Sequence, residues 1–304
     1  MPIYLPPISR RRFLAGSIAA AALSLIPGYA ASPSKRDANA IALFSDIHIS
    51  SDALKLSRGV NMTNNLKAVA AEVLALPQQP GAVFVNGDMA YNNGESADYR
   101  AALGLLRPLR EAGLPIHLNM GNHDDRERFW AVFQDAKTVP AKLPGRQAAI
   151  VRQGGTNWFL LDSLIKTRTT PGCLGEAQRA WLANALDANT DRPAVVMLHH
   201  QPGSLVSYHE WNGLEDISEL FAILRPRRQV KAYFFGHTHH WSVKQDESGI
   251  HLINLPTSAY VFSEGVANGW VHATLRDGGV RLELRCLDKT HPDNGHIADL
   301  AWRA

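Results

Sequence analysis

The chain has 304 residues, 45% of them hydrophobic and 19% charged, with aromatic and aliphatic residues spread along its length. This composition suits a sizeable buried core and excludes an extended disordered or low-complexity protein. The formal charge is +3, but residues 1–30 hold three arginines and no acid; removing those three from 31 leaves 28 Lys and Arg against 28 Asp and Glu. The remainder is neutral, which excludes a surface built for nucleic acid.

The N-terminus reads Ser9-Arg10-Arg11-Arg12-Phe13-Leu14, then an apolar run from Ala15 to Ile26, then Pro27-Gly28-Tyr29-Ala30-Ala31. A charged start, a short apolar stretch and a small-residue end define an export signal, and the apolar run is too short to span a bilayer. The string Ser-Arg-Arg-x-Phe-Leu resembles the twin-arginine signal. That resemblance implies export of the folded protein by the twin-arginine machinery to the bacterial periplasm or beyond. Residues 1–31 are expected to be the signal, 32–39 a short linker and 40–304 the functional domain. No stable membrane anchor is expected. Cys173 and Cys286 lie in the exported body, where a disulfide is permitted but spacing leaves the pairing open.

From residue 41 on, apolar β-rich runs alternate with helical patterns. Ile41–Phe44, Ala82–Val85, Pro115–Met120, Trp158–Leu161, Val195–Leu198 and Val230–Phe235 read as buried strands. Asn64–Leu76, Ala97–Arg110, Glu176–Leu186 and Leu214–Leu224 carry apolar residues at helical spacing. Beyond residue 241 the helical patterns stop. Trp241–Gln245 with Ile250–Asn254, and Trp270–Arg276 with Val280–Leu287, read as hairpins, the second turning at Asp277-Gly278-Gly279. The reading is an α/β body with a β-rich end, a layered sandwich with a mixed second sheet.

Polar residues follow five of the strands in a repeating way. Ile41–Phe44 leads into Ser45-Asp46-Ile47-His48, and Val83–Val85 into Asn86-Gly87-Asp88. His117–Met120 leads into Gly121-Asn122-His123-Asp124, Val195–Leu198 into His199-His200, and Tyr233–Phe235 into Gly236-His237-Thr238-His239. Loops at the carboxyl ends of sheet strands converge, so these endings point to one site. Asp46 and His48 stand two apart, which in extended chain turns both side chains to one face; His237 and His239 have the same spacing. Imidazole, carboxylate and amide donors without thiolate suit Zn, Mn or Fe. Gly87, Gly121 and Gly236 each precede one of these donors, where close backbone approach leaves no room for a Cβ.

In this order, Asp-x-His, Gly-Asp, Gly-Asn-His-Asp, His and Gly-His-x-His resemble the calcineurin-like metallophosphoesterase superfamily, from about Ile41 to His239. The resemblance implies a four-layer α/β/β/α sandwich of two mixed sheets flanked by helices. It implies two divalent or mixed-valence metal ions (Mn, Fe or Zn), one held by Asp46, His48, Asp88 and His239. Asp88 would bridge to a second ion held by Asn122, His199 and His237. A hydroxide between the ions would attack phosphorus in line, and His123 would protonate the leaving group. Asp124 either holds His123 or a ligand histidine in place or caps a helix starting near Asp125.

His200, next to His199 on extended chain, is expected to point away and to support the site from behind. Gly87-Asp88-Met89-Ala90-Tyr91 matches the Gly-Asp-x-x-Tyr motif of purple acid phosphatases, but His48 fills the position those enzymes leave to the tyrosine. Tyr91 is therefore assigned to packing or to lining the pocket. His240 is placed after His239 in the same way as His200 after His199, whereas His209, His251, His272, His291 and His296 are read as ordinary. Gly121–Arg126 and Gly175–Leu182 resemble the branch containing class III cyclic-nucleotide phosphodiesterases and glycerophosphodiesterases, which favours a small phosphodiester substrate. The branch motif His-His-Pro-Pro stands here as His199-His200-Gln201-Pro202. The alternatives are a phosphomonoesterase or nucleotidase, and a non-catalytic binding module of the same fold. Residues 242–304 carry no assignable motif, and no oligomeric state is read from the sequence.

Overall fold

The computed structural model of the chain describes residues 3–8, 36–133, 143–203 and 213–304. Ala40 to Phe44 contains no polar residue, so a strand made of it needs cover on both faces. It has that cover. Ile41 and Leu43 enter a core between two sheets, while Ala42 and Phe44 pack beneath helices.

The first sheet runs in the order β1 (Tyr4–Leu5), β6 (Ile116–Asn119), β5 (Gln79–Asn86), β2 (Arg36–Ser45), β13 (Gly269–Arg276), β14 (Gly279–Cys286), β15 (Ile297–Ala301). β2, β5 and β6 are parallel, and the remaining pairings are antiparallel. The second sheet runs β11 (Ser242–Gln245), β12 (His251–Asn254), β10 (Val230–Phe235), β9 (Ala194–Met197), β8 (Thr156–Leu160), β7 (Ala149–Gln153). Its four central strands are parallel, with β11 and β7 antiparallel at the edges. A small hairpin, β3 (Leu56–Ser57) and β4 (Val60–Asn61), stands apart from both sheets.

Helices Met62–Ala75, Ser96–Glu111 and Arg126–Val132 cover the outer face of the first sheet through Leu66, Val73, Leu106 and Phe129. Helices Glu176–Asp187 and Ile217–Leu224 cover the second through Leu182, Leu186, Leu220 and Phe221. Between the sheets lie Phe84, Trp158, Val195, Met197 and Phe234. The result is the expected α/β/β/α layering.

Several boundaries differ from expectation. β2 begins at Arg36, inside the stretch read as a linker, and its first residues pair with Gln79 and Pro80. The last helix starts at Ile217 rather than Leu214, because Leu214 pairs as a β-bridge with Gly172, the Glu215 N–H donating to Gly172 O at 2.8 Å. The C-terminal region divides: β11 and β12 extend the second sheet, whereas β13–β15 complete the first, so both sheets are mixed. Cys173 and Cys286 are both free.

The Arg10–Arg12 motif and the apolar run behind it lie outside the described residues. Upstream of them, Tyr4 and Leu5 pair antiparallel with β6; Tyr4 stacks on His117 at 5.0 Å, and the Ile8 N–H donates to the Arg110 carbonyl at 2.9 Å. Among the described residues no helix is long and apolar enough to cross a membrane.

Candidate metal centre

Five strands deliver the site. Asp46 and His48 follow β2, Asp88 follows β5, Asn122 and His123 follow β6, His199 follows β9, and His237 and His239 follow β10. Asp46, His48, Asp88, Asn122, His199 and His239 are buried, and His237 is partly so. The chain turns sharply at these points. Asp46, His48, Asp88, His237 and His239 all have left-handed backbones, with φ between 44° and 68°. Non-glycine residues rarely adopt that region, and such strain persists where the surroundings over-determine it. The glycines before the donors allow the crowding: a Cβ at Gly236 would lie 2.5 Å from Asp46 Oδ2, and one at Gly121 would collide with the Asp88 carboxylate.

These backbones revise the reason for the two-residue spacing. Asp46 and His48 do converge, but through left-handed turns and not along extended chain. The same turn sends His237 and His239 apart. One cluster is Asp46, His48 and His239; the other is Asp88, His199 and His237, each with donor atoms within 4.8 Å of one another. Asp88 Oδ2 lies 3.6 Å from His48 Nε2 and 3.3 Å from His199 Nε2, between the two clusters. Asn122 Oδ1 is 3.2 Å from His199 Nε2, on the second cluster's side.

The hydrogen bonds behind the histidines set their tautomers. Backbone carbonyls only accept, so His48 Nδ1–H donates to Tyr91 O at 3.1 Å, His199 Nδ1–H to Asn86 O at 3.1 Å, and His239 Nδ1–H to Tyr260 O at 2.6 Å. Each ring therefore presents Nε2 to the centre. His48 Nε2 and His239 Nε2 face each other at 3.1 Å, two acceptor positions converging with no donor between them. His237 Nε2 is buried without a hydrogen-bond partner among the described residues. Converging lone pairs flanked by two carboxylates fit divalent cations, and the N/O donor set suits Mn, Fe or Zn.

The electrostatics agree. Burial opposes ionisation of Asp46, but His199 and His239 outweigh it and hold the carboxyl at about 2. Asp88 is likewise held well below the usual carboxylate range against its burial, chiefly by His199 and His123. Burial depresses His48 to about 4 and His237 to about 3, so both rings are neutral and available as donors. Burial would do the same to His199, but Asp88 and Asp46 raise it to about 9.

His123 sits at the rim, half-buried, with its ring 5.2 Å from that of His48. Its Nδ1–H donates to Asn92 O at 2.9 Å, leaving Nε2 without a hydrogen-bond partner among the described residues, and its backbone N–H donates to Asp88 Oδ1 at 2.8 Å. Asp124 neither holds a histidine nor caps the helix. Its carboxylate accepts from the backbone N–H groups of Met89, Ala90 and Gly121 at 2.9–3.2 Å and so braces the loops that carry Asp88 and Asn122. Being fully buried beside Asp88, it is raised to about 6, first by burial and then by that charge. It is a positioning residue, and Asp125 is the helix cap, accepting from Arg128 N at 3.0 Å.

His200 is buried beside the centre, its Nδ1 2.8 Å from Ser163 Oγ and its ring 4.8 Å from that of His237. Tyr91 acts through its carbonyl, which orients His48, while its ring lies under Lys55. The two branch stretches meet: Arg126 forms a two-pronged pair with Asp162 at 2.7 and 2.9 Å, and the Gln178 side chain bonds the Asp162 backbone at 3.0 and 2.7 Å. Sequence reasoning missed Thr257, whose hydroxyl donates to Asp46 O at 3.0 Å, and Tyr260 and Phe262, whose rings lie 5.0 and 4.3 Å from that of His239. These contacts bring the motif-free C-terminal region into the site wall.

The profile of the calcineurin-like phosphoesterase family matches residues 40–241. A 3′,5′-cyclic-nucleotide phosphodiesterase of Nostoc is 27% identical over 223 residues, 73% of this chain and 79% of that protein. A glycerophosphodiester phosphodiesterase of Enterobacter lignolyticus is 27% identical over 206 residues, 67% of this chain and 72% of that one. Among solved structures, a dimetal phosphatase from Danio rerio superposes with a TM-score of 0.67 at 13% identity, over 87% of this chain and 99% of its own, which speaks to the fold.

Proposed function

The chain belongs to the calcineurin-like phosphoesterase family of metal-dependent phosphoric ester hydrolases, and from that premise we propose that it hydrolyses phosphodiesters at the centre built around Asp88. The observation that carries this is Asp88 Oδ2 standing 3.6 Å from His48 Nε2 and 3.3 Å from His199 Nε2, one histidine of each cluster, so that this carboxylate would serve both ions. The preference for diesters rests on the relatives, which are named as cyclic-nucleotide and glycerophosphodiester phosphodiesterases.

Asp46, His48, Asp88 and His239 would hold one ion, and Asp88, Asn122, His199 and His237 the other. Two bound ions would supply charge stabilisation to a phosphoryl group and bring the pKa of a water towards neutrality. The protein's own side chains do the rest. Asp46 and Asp88 stay ionised across the physiological range, and the carbonyls of Tyr91, Asn86 and Tyr260 keep three imidazoles turned inward. His123, tethered through Nδ1 to Asn92, leaves Nε2 to carry the proton that the departing alkoxide needs. Water oxygen forms the new bond to phosphorus, the opposite P–O bond breaks, and an alcohol and a phosphomonoester leave.

The Ser9–Leu14 string supports twin-arginine export, so the working compartment is the periplasm or the exterior and the substrate an external diester. A mature N-terminus beginning at Met1 in protein from the native host would overturn that placement.

The test is a substrate panel on metal-analysed protein: bis(4-nitrophenyl) phosphate, cyclic AMP and a glycerophosphodiester against 4-nitrophenyl phosphate. Diesters are expected to be the better substrates, and hydrolysis of monoesters alone would establish a phosphomonoesterase instead. Asp88→Ala is expected to lose bound metal and roughly a hundredfold or more of the activity. Retention of both would favour a binding module. His123→Ala should slow alkyl diesters by about 10²–10⁴-fold, and aryl diesters less, because 4-nitrophenolate leaves with little protonation.

A further inference from the structure

Ser51 to Gly59 is exposed along nearly its whole length and lies beside the metal centre. Three contacts seat it there. Lys55 Nζ lies 5.3 Å above the ring of Tyr91, whose carbonyl orients His48. The Arg58 guanidinium lies 5.0 Å above Phe262 and 6.0 Å above Tyr260. Phe262 in turn stacks on His239 at 4.3 Å. The β3–β4 hairpin is thus one ring away from ligand histidines of the first cluster.

Its outward composition is unusual for a soluble surface. Leu54 is 84% exposed, Leu56 59% and Phe262 51%, and they are the three most exposed large hydrophobic residues among those described. Isolated exposed leucines need no explanation, but a cluster of them marks an interaction site. Between and beside them stand Lys55 and Arg58, for which no carboxylate partner occurs among the described residues. Arg58 also holds a left-handed backbone (φ 50°) before Gly59 (φ 78°), in a two-residue turn that Asn-Gly would make with less strain.

We propose that this hairpin is a lipid-contact element and that the phosphodiester taken at the metal centre belongs to an anionic membrane lipid. The inference rests on the phosphodiesterase reading above. Leucines interleaved with cations match the boundary between headgroups and acyl chains, the apolar side chains entering it while Lys55 and Arg58 meet lipid phosphates. Residues 31–304 are neutral with Lys55 and Arg58 counted, and Asp52 is the only acid in the Ser51–Gly59 segment, so the attraction to anionic lipid is local to this rim. A lipid gripped here presents its phosphodiester to Asp46, His48 and His239 without leaving the bilayer. Water adds to phosphorus, one P–O ester bond breaks, and the freed alkoxide takes a proton, giving a phosphomonoester and an alcohol.

The experiment uses the metal-loaded full chain and its Leu54→Ser/Leu56→Ser double variant, which changes only exposed side chains. Flotation with phosphatidylglycerol vesicles is compared with phosphatidylcholine vesicles, and hydrolysis of phosphatidylglycerol with that of deacylated glycerophosphoglycerol. The native protein is expected to float with the anionic vesicles only and to prefer the acylated diester. The double variant should lose vesicle binding and about tenfold or more of kcat/KM on phosphatidylglycerol, with bis(4-nitrophenyl) phosphate hydrolysis within about twofold of native. No flotation, or equal rates on acylated and deacylated diesters in both proteins, overturns the inference. So does self-association that the double variant abolishes in the absence of any vesicle binding, since the hairpin would then be a subunit contact. Failure of the native protein on bis(4-nitrophenyl) phosphate overturns the phosphodiesterase reading itself, and flotation then still decides the lipid contact.

Discussion

His199 lies 3.3 Å from Asp88 and 3.8 Å from Asp46, and in the metal-free protein it is a buried cation between two carboxylates. Its burial alone would favour the neutral ring, but the two acids raise it from 6.5 to about 9. A raised histidine stabilises the fold fully below its ordinary value and loses that contribution as pH rises through the folded value. The melting temperature of chelated protein is therefore expected to fall between pH 6.5 and about 9. Over the same interval metal affinity should rise, because an incoming ion must displace this proton. Calorimetric titration of the apoprotein at pH 7 in two buffers of different ionisation enthalpy should detect proton release. Flat melting temperatures and no release would show that the ring is already neutral. At this scale the donor residues were legible from their types and order. Asp124 was not, because a carboxylate next to a histidine gives no sign that its partners are the backbone N–H groups of Met89, Ala90 and Gly121.

The strands place those donors, and their placement depends on the core between the sheets. Phe84 of β5 is fully buried there, edge-on to Trp158 at 4.9 Å and to His117 at 4.9 Å. Phe84→Ala is expected to cost about 3–5 kcal/mol, a value for truncating a large core aromatic whose surroundings cannot collapse. Urea denaturation measures it, and a loss below about 1 kcal/mol would mean that the two sheets close over the gap. Central strands such as β5 and β10 were readable from their runs Ala82–Val85 and Ala232–Phe235, because burial on both faces demands apolar residues in succession. β7 and β15 were not, since as edge strands they are only partly buried, and β15 (Ile-Ala-Asp-Leu-Ala) alternates exposed and half-buried residues without an apolar-polar alternation to mark it. β3 and β4, two residues each, fall below any periodicity that a pattern can reveal.

At the scale of the whole molecule, the donors come from two sheets: Asp46, His48, Asp88 and Asn122 from the first, His199, His237 and His239 from the second. Ions bound across that seam bind the native state and not the unfolded chain. Saturating metal at roughly 100–1,000 times its Kd should add about 3–4 kcal/mol of stability. Differential scanning calorimetry with chelator and with graded Mn or Zn checks this. A melting temperature indifferent to metal would show that the ions, if bound, do not bridge the layers.

The residue types of the centre, their order and their position after apolar runs were determined by the sequence alone, because burial and strand-end turns leave local signals that need no partner. Those signals sufficed for the family and for the layering. Which histidine joins which cluster followed from the family resemblance and not from the spacing, and the tertiary structure supplies the reason: left-handed backbones at His237 and His239 turn a two-residue spacing into two opposite directions. Tertiary structure alone decided the free state of Cys173 and Cys286, the completion of the first sheet by β13–β15, and the hairpin seated on Tyr91 and Phe262. Each depends on segments far apart in the chain coming together, and that is settled by packing the two sheets face to face rather than by any local pattern.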